Sequence, residues 1–201
     1  MNRRALLACL PGLAVHLVRT AAGLAGGSGS LGILGLWGLW GGLLFLADRR
    51  ETGGAGETLP DAPAAGRSRA ALILLILAAT VALGMVLEEG RSYFRYRLEL
   101  ETRLPGGLSL GVIMATLIFW EGGGVLRSPF RGSRRGRTAD LSLSLAVFLL
   151  LGGAEFLGEP FYSLEILGGM AFGLLLFFRS LKELLARIPL LILPAETNRQ
   201  A

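Results

Sequence analysis

The most regular feature of the chain is a series of six apolar blocks separated by short polar or glycine-rich stretches. Each block approaches the length of about 20 residues with which a helix crosses about 30 Å of hydrocarbon. The pattern therefore predicts an all-α fold, a polytopic integral membrane bundle of about six transmembrane helices. The predicted spans are residues 5–24, 31–47, 70–87, 108–126, 141–158 and 161–178.

The first block departs from the others because it contains Pro11, His16 and Arg19. Ionisable residues are costly inside a membrane, so this block is the weakest of the six spans. It either crosses the bilayer or lies in the interface while residues 20–47 form one long span. The pattern leaves both arrangements open.

The composition argues against a soluble protein. Of the 201 residues, 52% are hydrophobic and only 17% are charged, and the mean hydropathy is +0.58. Most of the length is used by the predicted spans, which leaves no room for a soluble catalytic domain of ordinary size. The chain is best treated as a single membrane domain over residues 1–201.

Charge orients the predicted bundle. Between the fourth and fifth blocks lie five arginines, with no acid before Asp140: Arg127, Arg131, Arg134, Arg135 and Arg137. The positive-inside rule places this loop in the cytoplasm, where its arginines would contact lipid headgroups, and alternation then places both termini there too. A five-span arrangement would leave Arg3, Arg4 and Arg19 outside, which favours six spans.

Three segments fall outside the spans. Residues 48–69 are rich in Gly, Ala and Pro and predict a flexible cytoplasmic linker. Residues 179–201 predict an amphipathic interfacial tail that is helical to near Pro189. Within the external segment 88–107, residues 95–104 alternate as in a strand, but opposite charges such as Arg95 and Glu99 also stand four apart as in a helix. Helix and strand stay open, and the segment is expected to lie along the membrane surface.

Glycines recur at the three- and four-residue spacings that let membrane helices approach closely. They are Gly32, Gly35 and Gly38 in the second block, Gly107 and Gly111 before and in the fourth, and Gly169 and Gly173 in the sixth. These faces predict either helix packing within the chain or contact with another chain. We expect the Gly32, Gly35 and Gly38 face or the external segment to take part in a chain-to-chain contact.

The sequence holds few residues for catalysis. Cys9 is the only cysteine and His16 the only histidine, so no metal site and no cofactor are predicted. Glu88 and Glu89 resemble a fragment of the paired glutamates of intramembrane abortive-infection-type proteases. That family requires histidines on later spans, and none follows His16, so the resemblance is rejected and no enzymatic activity is expected.

Ionisable residues within the apolar blocks are the candidates for an ion or proton path, because isolated charges are expensive there. They are Glu155, Glu121, His16 and Arg19. Glu155 is expected to face the bundle or a wet cavity. Glu159 and Glu165, in contrast, are expected at the wet outer edge, without a special role.

These observations favour a non-catalytic integral membrane subunit or accessory protein of a larger membrane complex. The alternative is a small oligomeric transporter or channel for a cation, a proton or a small solute. The expected partners are the lipid bilayer and other membrane protein chains, with no nucleic acid. The expected location is a bacterial cytoplasmic (inner) membrane.

Overall fold

The computed structural model describes residues 3–51, 69–98, 107–122 and 134–192, and the regular structure within them is entirely helical. The helices are α1 (Arg3–Gly26), α2 (Gly29–Glu51), α3 (Arg69–Arg97), α4 (Gly107–Thr116), α5 (Arg134–Leu157) and α6 (Glu159–Ile192). A π-helical segment, Leu117–Gly122, continues α4. The all-α prediction is confirmed for this part of the chain.

Within the described residues, three helical stretches are long and apolar enough to cross a membrane. They are Gly29–Ala47, Arg69–Arg97 and Pro160–Pro189, and two shorter apolar helices cover Gly107–Phe119 and Leu141–Leu157. Helices of this length satisfy every backbone hydrogen bond within the segment, which hydrocarbon demands. The chain is therefore a helical membrane protein.

Helix α2 lies at the centre of the bundle, and every residue from 28 to 36 is buried. On one side of α2, Leu34 belongs to an apolar cluster with Ile113 of α4. On the other side, Ile33 packs with Ala82 of α3 and Leu176 of α6. A helix that is apolar around its whole circumference is buried on all sides, as α2 is along this stretch.

Helix α1 packs closely against the glycine face of α2. A Cβ atom built on Gly35 would overlap the Thr20 backbone nitrogen and lie 2.7 Å from the His16 carbonyl oxygen. A Cβ on Gly38 would overlap the His16 imidazole. The glycine spacing therefore serves helix packing within one chain at Gly35 and Gly38, and α1 occupies the face that we expected at a chain-to-chain contact.

The other glycine pairs differ from each other. In α6, a Cβ on Gly169 would lie 3.1 Å from the Ser30 backbone nitrogen, and one on Gly173 would lie 2.5 Å from Val86 Cγ2. This pair lets α6 approach α2 and α3. In α4, a Cβ on Gly111 would meet nothing within 4 Å, and one on Gly107 would meet only Glu155 Oε1, at 3.9 Å.

Two peripheral segments continue the long helices. Residues 88–97 belong to α3, which ends at Arg97, so the helical alternative holds for residues 95–97 and this part of the external segment is continuous with a span. Residues 99–106 lie outside the described residues. The tail is also continuous with a span, because α6 runs through Pro189 to Ile192. The linker was predicted over residues 48–69, but α2 continues through residues 48–51 and α3 begins at Arg69, so both ends of that prediction are wrong. Residues 52–68 are outside the described residues.

Candidate functional site

The turn between α1 and α2 brings several hydrogen-bond donors together. Gly27 adopts φ +72°, and the Ser28 N–H donates to the Gly23 carbonyl at 2.8 Å, which closes the end of α1. Ser28 also begins α2, because its Oγ accepts the Leu31 N–H at 3.2 Å as an N-cap. A two-residue turn therefore ends one helix and caps the next.

Glu165 of α6 reaches this turn. Its side chain has no exposed area, and Oε1 accepts hydrogen bonds from Ser28 Oγ and Ser30 Oγ, each at 2.7 Å. The backbone N–H of Ser30 lies 3.3 Å from the same oxygen. The first N–H groups of a helix have no partner within the helix and carry its positive dipole end. The N-terminus of α2 therefore supplies the hydrogen-bond donors for this carboxyl group.

The second oxygen of Glu165 is different. Oε2 is fully buried and has no hydrogen-bond partner among the described residues. A buried carboxyl oxygen without a partner loses about 1–3 kcal/mol of hydration that nothing replaces. Such an atom is uncommon in folded proteins and points to a proton, an ion or a ligand that would satisfy it.

A second carboxyl group, that of Glu89 on α3, lies beside the same turn. A Cβ built on Gly29 would overlap Glu89 Oε1, so the absence of a side chain at Gly29 makes room for this carboxyl group. Glu89 is half-buried, and its electrostatic neighbours are the carboxyl groups of Glu165 and Glu88. The N-terminus of α2 thus lies between two acids that come from different helices.

A cavity of about 710 Å³ opens on the Glu89 side of this arrangement. It lies between the end of α1, the start of α2, the last turns of α3 and the first turns of α6. Its polar lining includes Ser28, Glu88, Glu89, Ser92, Arg95 and Tyr162. Glu165 has no exposed area and therefore lies behind the wall that Ser28 and Gly29 form. The cavity is large enough for a small organic molecule.

A separate buried polar cluster lies deeper along α1. Arg19 is only 1% exposed, and its guanidinium donates to Thr116 Oγ1 at 2.8 Å and to Ser144 Oγ at 3.3 Å. One side chain of α1 thereby ties together α4 and α5. His16, one turn earlier, is 8% exposed and lies against Gly38 of α2. Both path candidates on α1 are buried, and Arg19 is bound by neighbouring hydroxyls.

The acidic candidates predicted from the sequence lie elsewhere. Glu155 is in the last turn of α5, and its side chain is exposed near the start of α4 rather than turned into the polar cluster. Glu121 is in the π-helical segment, and its side chain lies outside the described part of the chain. Arg134, Arg135 and Arg137 form the start of α5, whereas Arg127 and Arg131 are outside the described residues.

The two carboxyl groups of the site were missed by sequence reasoning. Glu165 was expected at the wet edge, and the structure corrects this because the residue is completely buried against α2. Glu89 was set aside together with a rejected protease resemblance. The sequence feature that could have indicated the site is the pair Ser28 and Ser30 at the start of an apolar run. This is an N-terminal capping pattern, and a helix N-terminus can bind a carboxyl group.

Metal binding finds no support in the described residues, where no group of three or more His, Cys, Asp or Glu side chains converges. No protein-family model, curated protein or solved structure matches the chain. The function must therefore be argued from the geometry of this site.

Proposed function

We propose that this protein is a small membrane transporter or channel for a cation, a proton or a small solute, with Glu165 and Glu89 as its binding carboxyl groups. The observation that carries the proposal is the buried Glu165, which has one oxygen held by the N-terminus of α2 and the other without a partner. The adjacent Glu89 links this buried group to a cavity.

The chemistry of a carboxyl group in a membrane supports this choice. An ionised carboxylate without a cation costs several kcal/mol in hydrocarbon, so such a group tends to hold a proton or bind a positive charge. The donors on Glu165 are two hydroxyls and an amide, which are neutral. A proton or a cation that reaches the acid pair can therefore be taken up and released without breaking an ion pair with an arginine or lysine.

The proposed topology has six spans and two cytoplasmic termini. In this arrangement the α1–α2 turn, the end of α3 and the α5–α6 turn all lie on the outer side. The contacts support their proximity: Ser28 bonds Glu165, and the rings of Tyr96 and Tyr162 stack edge to face with centroids 4.9 Å apart. The cavity would then open toward the outside of a bacterial inner membrane.

The proposal is tested by flux into proteoliposomes that contain the purified full chain. Proton uptake is followed with a pH dye, and uptake of sodium, potassium and small organic cations with solid-supported membrane electrophysiology. Glu165→Gln and Glu89→Gln should abolish the flux that the native protein shows. Glu155→Gln is the matched control and should retain that flux, because its side chain is exposed, does not line the cavity and makes no hydrogen bond to Glu165. Native flux in all three variants would refute the proposal.

A non-catalytic subunit of a larger membrane complex is the second candidate function. The observation in its favour is the α4 face with Gly107 and Gly111, against which no helix of the described chain packs closely. Small residues on an open face allow close approach of another membrane helix. The composition of the particle in mild detergent is the test: a stoichiometric partner chain supports this function, and a lone chain with full transport activity rejects it.

A further inference from the structure

The size and lining of the cavity point to a particular class of ligand, and this step rests on the proposed function. A volume of about 710 Å³ is far larger than a bare ion requires, and no set of three potential metal ligands converges in the described residues. Ion sites in proteins enclose the ion with several oxygen ligands at about 2.0–2.6 Å. The cavity is instead the size of a pocket for a small organic molecule.

The end of the cavity next to α2 suits a positive charge. Glu89 lines the cavity beside Glu88, and Glu165 lies behind the wall as a further acid. The same cavity is lined by Met85 and by Tyr162, which is 3% exposed and whose ring packs edge to face with Tyr96. An ammonium group is attracted both to a carboxylate and to the face of an aromatic ring, and a methylated ammonium also fills apolar space beside a thioether.

The opposite end of the lining carries a positive charge. Glu88 and Arg95 stand seven residues apart on α3, which corresponds to about 10 Å along the helix axis, and both line the cavity. A ligand with one ammonium group can bind at the acidic end and extend toward Arg95. A ligand with two ammonium groups would bring its second charge toward the guanidinium and be disfavoured.

We propose that the cavity between α1, α2, α3 and α6 binds a small organic monocation with an ammonium group, held by the Glu89 carboxylate against the Tyr162 ring. Glu165 does not line the cavity, so toward this ligand it acts only as a positioning residue that holds the N-terminus of α2, the wall beside Glu89. The expected preference is for monoammonium compounds over diamines and over inorganic cations.

Binding is measured by isothermal titration calorimetry on the full chain in detergent micelles. The probes are tetramethylammonium, ethylammonium, 1,4-diammoniobutane and sodium, all as chlorides at equal ionic strength, together with glycine. Saturable binding of either monoammonium probe, at least about tenfold tighter than that of the diamine and sodium, is expected. Equal affinity for all cations, no binding of the ammonium probes, or binding of glycine alone would overturn the proposal.

Variants distinguish a direct effect on the binding site from a general effect on folding. Glu89→Gln should weaken binding of the monoammonium probe by at least about tenfold, which is the scale of a charge-assisted contact. Tyr162→Phe keeps the ring and should retain affinity, whereas Tyr162→Leu should weaken binding at least about threefold. Glu155→Gln is the control, and circular dichroism first establishes that each variant is folded. Native affinity in Glu89→Gln, or loss of affinity in Tyr162→Phe, contradicts the proposed contacts.

The outcome of the binding experiment can be distinguished from the outcome of the transport experiment. Monoammonium binding that depends on Glu89, without flux of any probe through proteoliposomes, would retain this inference and reject transport. Proton or sodium flux that depends on Glu165, without ammonium binding, would retain transport and reject this inference.

Discussion

Gly35→Ala provides a direct test of the contact between α1 and α2. A Cβ at this position would lie 2.7 Å from the His16 carbonyl oxygen and would overlap the Thr20 backbone nitrogen, whereas ordinary Cβ contacts begin at 3.4 Å. The Thr20 hydroxyl also lies in this space, but the Thr20 nitrogen and the His16 oxygen are backbone atoms, so a side-chain rotation cannot relieve the whole clash. The two helices would have to separate by at least about 0.7 Å.

The expected change in the free energy of unfolding combines an unfavourable packing term and a favourable entropy term. Overpacking of this kind costs up to about 3 kcal/mol, and replacing a helical glycine by alanine returns about 1 kcal/mol through the lower entropy of the unfolded chain. Gly35→Ala should therefore lower the free energy of unfolding by about 2 kcal/mol. The same change at Gly41, where a Cβ would meet nothing within 4 Å, should raise it by about 0.5–1 kcal/mol.

The assay is reversible unfolding of the full chain in mixed micelles by titration with sodium dodecyl sulfate. The signal is the fluorescence of Trp37 and Trp40, which lie on α2 itself. Gly41→Ala is the matched control because it continues the same three-residue series on the same helix. Equal stability of the two variants would refute the packing argument. A change in chain association with unchanged unfolding of the single chain would show that Gly35 meets another molecule.

Three further changes test the polar clusters. Arg19→Lys should lower the free energy of unfolding by about 1–3 kcal/mol, because one ammonium group cannot reach both hydroxyls that the guanidinium bridges, and the same detergent titration measures it. Ser28→Ala removes both the cap of α2 and a donor to Glu165, so a loss of about 1–3 kcal/mol is expected, and unchanged stability would contradict the capping role. Gly29→Ala should displace the Glu89 carboxyl group and reduce probe binding to the level of Glu89→Gln, while circular dichroism keeps the native helical signal.

The sequence predicted the helices well because hydropathy and length act locally. Blocks of apolar residues long enough to cross hydrocarbon must be helical, since no other open segment satisfies its own backbone there. The structure has a helix at each of the six predicted blocks within its described residues. Local pattern was insufficient over residues 95–104, where charges spaced for a strand and for a helix coincide; α3 continues through the first three of these residues to Arg97.

The burial of the two acids could not be predicted from their neighbouring residues in the sequence, because the groups around them come from distant parts of the chain. Glu165 and its donor Ser28 are 137 residues apart, and nothing near Glu165 in the sequence indicates that it contacts the N-terminus of another helix. The contact partner of Gly35 and Gly38 was equally unpredictable, because their spacing indicates a close helix approach without identifying the helix that approaches. The class of protein, the helices and the small-residue faces can be predicted from single segments of the chain. Which faces meet and which carboxyl groups are buried depends on how several helices pack together, and no single segment contains that information.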